Sequence, residues 1–145
     1  MAYIDKARMI AAFGNTELQQ LTDRDGTVGA IVDAVLDPAM ADAIAEVDSY
    51  IGARYSLPLP SVPDIIPVFA CDIARWRLYD HGAPEEVQKR YDRAVSWLRD
   101  VSKAVVSLGI KTTDTAPTES IAVSSSRAQV FTDDVFSTMG PSWTQ

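Results

Sequence analysis

The stretch DPAMADAIAEVDSYIGARYSLPLPSVPD, Asp37 to Asp64, decides the fold: one helix runs into a proline-rich turn and hands the chain to a second helix. Asp37 is placed to accept hydrogen bonds from the free N–H groups of a first turn, and Pro38 sits where a helix loses nothing by lacking one. Met40, Ala43, Ile44, Val47, Ile51 and Tyr55 then recur at three- and four-residue steps, which puts them on one side of a helix, the side to be buried. Ser56-Leu57-Pro58-Leu59-Pro60 ends it, because residues before proline avoid the helical region and proline cannot donate to the ladder.

Beyond the turn, Asp64 and Pro67 bracket the start of a helix whose positions Ile66, Phe69, Ala70, Ile73, Trp76 and Leu78 or Tyr79 form a wide apolar face, closed by His81-Gly82. Pro84 opens the longest helix. Its seam of Val87, Tyr91, Ala94, Leu98, Val101, Val105 and Leu108 suits packing at a shallow angle, with Gly109 as the stop. The opposite side carries Glu86, Lys89, Arg90, Arg93, Asp100 and Lys103, a solvated face with local ion pairs. Upstream, Asp5 is a cap for a short helix through Ala7, Met9, Ile10 and Phe13 that Gly14 ends, and Asn15 or Thr16 caps one or two further turns. Between Thr27 and Leu36 the positions Val28, Ile31, Val32, Val35 and Leu36 match a helix period while Gly26 and Gly29 oppose it, so helix and loop both stay open.

These elements predict an all-α protein: a small bundle of four or five helices over residues 1–109, with an extended or weakly ordered C-terminal arm over residues 110–145. The arm is rich in Thr, Ser and Pro, yet Ile121, Val123, Val130, Phe131, Val135, Phe136 and Trp143 need apolar contacts, on their own bundle or on another chain. At 145 residues the chain is long enough to bury a sizeable core without disulfides. Its single cysteine, Cys71, allows neither an intrachain bridge nor a cysteine cluster for zinc, and fits a reducing compartment. No apolar run reaches the roughly 20 residues that span a bilayer, and the first residues lack a signal-peptide cleavage pattern. The expectation is a soluble cytosolic protein with no membrane contact. A formal charge of −7 opposes wrapping of the phosphate backbone, which takes clustered Lys and Arg. A protein partner fits better.

Little of the chain advertises catalysis. His81, the only histidine, falls at an expected helix end, where an imidazole meets unpaired carbonyls. Cys71 reads as a small buried thiol and Glu85-Glu86 as carboxylates at a positive helix end. Asp23, Asp25 and Gly26 are spaced like part of a calcium loop, but the further acidic ligands and the closing glutamate are missing. No cofactor, metal site or catalytic residue is expected. Asp48, Arg54, Asp72 and Arg75 stand apart, each at the margin of an apolar face on the helices flanking the proline turn. They suit either an ion pair within the chain or a contact between subunits, since a partly buried charge must find an opposite one.

The segments Ala43 to Tyr55, Pro58-Leu59 with Pro63, Cys71 to Tyr79, and Arg90-Tyr91-Asp92-Arg93-Ala94 with Trp97-Leu98 together resemble the Mu-like phage and prophage virion protein family. The likeness covers Tyr3 to Leu108, and the tail matches through Arg127 and Phe131. Its most specific part is an Asp-Ser-Tyr helix ending in Arg-Tyr, the Pro-Leu turn and the Asp-Ile-Ala helix that follows. The family is similar to the head-to-tail connector, or adaptor, proteins of tailed phages. The resemblance implies a non-enzymatic virion protein, made in the host cytoplasm, whose copies form a ring of twelve beneath the portal protein. DNA would pass through it without specific contact, the tail side would meet a stopper or terminator protein, and the arm would dock on portal. Alternatives are a tail-side completion or stopper protein, or a small cytosolic helical regulator of prophage origin.

Overall fold

A computed structural model describes residues 2–111. The arm positions Ile121, Val123, Val130, Phe131, Val135, Phe136 and Trp143 lie outside the described residues. The described residues form five helices: α1 (Lys6–Phe13), α2 (Asn15–Thr22), α3 (Asp33–Ile51), α4 (Ile65–Arg77) and α5 (Glu85–Ser102). Among the described residues there is no strand, so the chain is all-α as its periodicity predicts. Helices α3, α4 and α5 pack against one another as a three-cornered bundle, while α1 lies on α2 and α4, and α2 on α3.

The core forms where the three long helices turn their apolar sides inward. Leu36, Ala43, Val47 and Ile51 of α3, Ile66, Ala70, Ile73 and Ala74 of α4, and Ala94, Leu98 and Val101 of α5 are wholly buried. Each buried Leu, Ile or Val contributes about 1.5–3 kcal/mol relative to exposure, and the alanines let the helix axes approach closely. The proline turn is part of this core. Tyr55 and Leu59 project inward and are almost fully buried, and the Leu57–Pro58 peptide is cis.

Several helix ends differ from expectation. α3 begins one turn before Asp37, which is its fifth residue, and Val32 rather than an aspartate holds the capping position. The earlier start is fixed by burial of Leu36 and by the Val32 N–H, which donates to Thr22 Oγ1 at 3.0 Å. Pro38 is tolerated inside the helix because the hydrogen bond it forfeits, to the Ala34 carbonyl, lies on the exposed side, where water replaces it. α3 ends at Ile51, and Tyr55 is reached through a tight turn in which the Arg54 and Tyr55 N–H groups both donate to the Ile51 carbonyl. Between Thr27 and Ile31 the chain is not helical. Asn15 is the first residue of α2, not its cap, because Gly14 at φ 89° joins α1 directly to α2. The cap at Asp5 is as expected, its carboxylate accepting the Arg8 N–H at 2.7 Å.

At the other end of the bundle, α4 stops at Arg77, before His81-Gly82, because the Leu78 N–H closes the last turn on the Ala74 and Arg75 carbonyls. α5 stops at Ser102, and Val105, expected on the buried seam, is 72% exposed. The cause is a reversal at Ala104: the Val105 N–H donates to the Asp100 carbonyl and the Ala104 N–H to the Val101 carbonyl, the Schellman arrangement, with Ala104 left-handed at φ 65°. Glycine usually takes that position, since a Cβ there costs about 1–2 kcal/mol. Ala104→Gly should therefore raise stability by about 1 kcal/mol, visible as a melting temperature roughly 4 °C higher. An unchanged melt would show that no strain resides there.

Candidate functional site

The structure engages each of the four charges singled out by sequence with a different element. Asp48 accepts a hydrogen bond from the Tyr3 hydroxyl and ties the N-terminal segment to α3. Arg54 donates to the Val106 carbonyl at 3.4 Å and lies over the Tyr55 ring, 5.6 Å from its centre. The Leu108 N–H donates to the Tyr55 hydroxyl at 3.0 Å, so Arg54 and Tyr55 together hold the chain as it leaves α5. Asp72 is buried and faces Arg90 of α5 at 3.7 Å. Arg75 binds Glu17 of α2 at 2.6 Å and covers the Phe13 ring of α1 at 4.8 Å.

A fifth polar junction escaped sequence reading. Glu46 of α3 accepts from Arg77 of α4 at 2.6 Å and from the Tyr91 hydroxyl of α5 at 3.0 Å, so one carboxylate joins all three long helices. Trp76 stacks on Tyr91 with ring centres 4.1 Å apart and 15° between planes, and its indole N–H donates to Gln88 at 2.8 Å. Arg77 Nε is buried with no hydrogen-bond partner among the described residues, which makes the guanidinium dependent on Glu46. The available signal was that Trp76 and Tyr91 lie on the apolar faces of consecutive helices; neither the periodicity nor the charge pattern pointed to Glu46.

The remaining reactive groups are spent locally. Cys71 is buried, and burial pushes its thiol up to about 11 against the opposing influence of Arg8. His81 lies exposed beyond the end of α4. The Asp23 carboxylate accepts the N–H groups of Thr27, Val28 and Gly29 at 3.1, 3.0 and 2.7 Å, which organises the turn before α3. Among the described residues no group of His, Cys, Asp and Glu side chains is gathered to hold a metal ion, and no helix is long and apolar enough to cross a membrane.

One surface combines charge with exposed apolar area. A shallow groove of about 90 Å³ is lined by Arg8 and Phe13 of α1, Val68, Cys71 and Asp72 of α4, and Arg90 of α5. That is well below the roughly 300–1,000 Å³ of small-molecule sites. Burial raises the pKa of Asp72, and the neighbouring Arg90, Arg75 and Arg93 act in the opposite direction without reversing it. The groove therefore presents arginines around a reluctant carboxylate.

Two outcomes test these junctions. Glu46→Ala should cost about 2–3 kcal/mol, because it strands the Arg77 guanidinium. Asp42→Ala, which removes a 66%-exposed carboxylate 3.8 Å from the same guanidinium, should change stability by less than about 0.5 kcal/mol. Equal effects in denaturant titrations would overturn the dependence on Glu46. The second concerns alkaline pH. Burial raises the Cys71 thiol from 9.0 to about 11, and burial followed by the Glu46 contact raises the Tyr91 phenol from 10.0 to about 12. Burial and then Asp48 also raise Tyr3. Groups that hold protons more tightly when folded stabilise the protein below their unfolded pKa, and that stability is lost as pH climbs through the folded value. The melting temperature should fall steadily above pH 9, and Tyr91→Phe should flatten the decline above pH 10.

Comparison with known proteins places these features in a family. Residues 3–126, which take in the helical body, match the family described as Bacteriophage Mu, Gp36. The chain is 33% identical over 100 residues to the Mu-like prophage FluMu protein gp36 of Haemophilus influenzae, covering 68% of this chain and 71% of that protein. It is 31% identical over 119 residues to gene product J of Escherichia phage Mu, covering 82% of this chain and 84% of the relative. The helical body built around the α3–α4 corner thus belongs to the bacteriophage Mu Gp36 family.

Proposed function

We propose that the protein is a head-to-tail connector of a tailed phage, a non-enzymatic virion component assembled from host cytoplasm into a ring of twelve copies beneath the portal protein. Its tail side meets a stopper or terminator protein. The observation that carries this reading is the family match over residues 3–126, which takes in the whole helical body and continues into the arm. The use of polar groups supports it: Glu46, Arg77, Tyr91, Arg75 and Glu17 are committed to junctions between helices, as in a part whose task is to hold shape. The formal charge of −7 suits a wall past which DNA slides, because an acidic surface repels the phosphate backbone. Residues 110–145 are the segment that reaches portal, with Ile121, Val123, Val130, Phe131, Val135, Phe136 and Trp143 supplying the apolar contact. A segment that orders on assembly loses entropy but covers a large surface.

Sedimentation of the full chain over a range of concentrations, alone and with purified portal protein, tests the reading. The expected result is a ring, or a monomer that becomes one on portal. Deletion of residues 110–145 should reduce portal affinity at least tenfold, the loss of roughly 1.4 kcal/mol or more, while leaving the helical body folded by circular dichroism. A chain that ignores portal and instead binds tail components would replace the connector role with that of a tail-side stopper. Undiminished portal binding by the deletion variant would remove the arm from the contact.

A further inference from the structure

Among the described residues, two faces of the helical body have no partner within the chain, and they point in opposed directions. On α3 the side away from the core presents Ala34, Pro38, Ala41, Ala45 and Ser49, all exposed, and exposed Asp37 and Asp42 border this strip on its two edges. Because α3 packs on both α4 and α5, this side faces away from the seam between those two helices. The groove of Arg8, Phe13, Val68 and Arg90 lies over that seam. Val68 in it is 42% exposed, and beside it stand exposed Arg93 on α5 and Ile65 on α4, the latter 38% exposed.

We infer that these faces are complementary halves of one contact: the α3 face of one copy of this chain seats on the arginine-rimmed groove of a second copy. Charge selects the pairing. In a chain of formal charge −7, most ways of bringing two copies together oppose like charges, whereas Asp37 and Asp42 meet Arg8, Arg90 and Arg93. Glu86, on the same flank of α5 as Arg90, and Asp72 in the groove reduce the arginine excess without cancelling it. Among the described residues Asp37 has no charged partner, and Asp42 stands 3.8 Å from Arg77 with most of its surface exposed. Size fits as well as charge. The small side chains of the α3 strip allow a close helix approach, so that Val68 and Ile65 of the neighbour lose their exposure against backbone and methyl groups. Two different faces on opposed sides make a head-to-tail contact, which repeats from copy to copy. That this repetition closes into a ring rests on the proposed connector function; the pairing of faces does not.

The test uses the full chain and two charge reversals at exposed positions, Arg93→Glu and Asp37→Lys, with assembly followed by sedimentation alone and on purified portal. Each variant alone should self-associate at least about tenfold more weakly than the wild type, as for loss of a close charge pair across an interface. An equimolar mixture should recover assembly, because each altered face then meets an oppositely charged one. Ala41→Trp, which leaves charge untouched and adds bulk to the strip, should also block association, with a melt matching the wild type. Variants that assemble as well as the wild type would overturn the pairing and leave the ring standing. A mixture that stays dissociated would also overturn it, since the two faces would then not oppose one another. A wild-type chain that remains monomeric at every concentration, with and without portal, would remove both the ring and this contact.

Discussion

The reversal between α3 and α4 is the constraint on which the rest of the structure depends. A helix has one apolar side to offer, and the turn from Gly52 to Asp64 fixes how the apolar side of α3 meets that of α4. Prolines alone would stop the helix without aiming the chain. What aims it is that Tyr55 and Leu59 are drawn inward and buried, so the turn is anchored at two points in the core it helps to enclose. Tyr55 also accepts the Leu108 N–H, and Arg54 donates to the Val106 carbonyl, so the same corner holds the chain where it leaves α5. Tyr55 therefore takes part both in the entry to the second long helix, with Leu59, and in the exit from the third, with Arg54.

Apolar burial draws the three helices together without fixing how far one slides along another, because Ala, Val, Ile and Leu sides tolerate several registers. Directional contacts remove that freedom. Glu46 reaches α4 through Arg77 and α5 through Tyr91. Arg75 ties α4 to α2, and Asp72 faces α5. Such pairs add little net stability once desolvation is subtracted, yet each is costly to break. Their effect is to penalise misaligned packings. In the proposed ring of repeated copies, uniform shape would matter more than a few kcal/mol of stability.

Much of this architecture was legible in the sequence, and the reason differs from element to element. The Asp5 cap, the apolar period of α4 and the break at the proline turn are local properties, set by residues within a turn of one another. The start of α3 was not local: it depends on Thr22, ten residues before Val32, and on a core that receives Leu36. The end of α5 was hidden for another reason. A glycine is the usual sign of a left-handed stop, and here an alanine makes that turn five residues before Gly109, leaving Val105 outside a period it would otherwise have continued. As for the charges, position on a helix margin marked Asp48, Arg54, Asp72 and Arg75 as needing partners. Which partners they take follows from helix register, and helix register is what the sequence of a single chain expresses least.

The same geometry bears on assembly. With three helices in mutual contact, the outward side of any one is set opposite the seam of the other two, so a face on α3 and a face over α4 and α5 are opposed without further design. A repeated head-to-tail contact needs such a pair, and it also needs the two members to differ, or copies would join face to face and stop at two. Small residues edged with aspartates on one side, and arginines around exposed Val68 and Ile65 on the other, supply that difference. In an acidic chain, Arg8 and Arg90 in one groove, with Arg93 beside it, would carry a second advantage: where other faces repel, the attractive approach is also the oriented one. The polar residues inside the body hold one shape, and in the proposed contact between copies that constancy would allow one kind of contact to be made repeatedly.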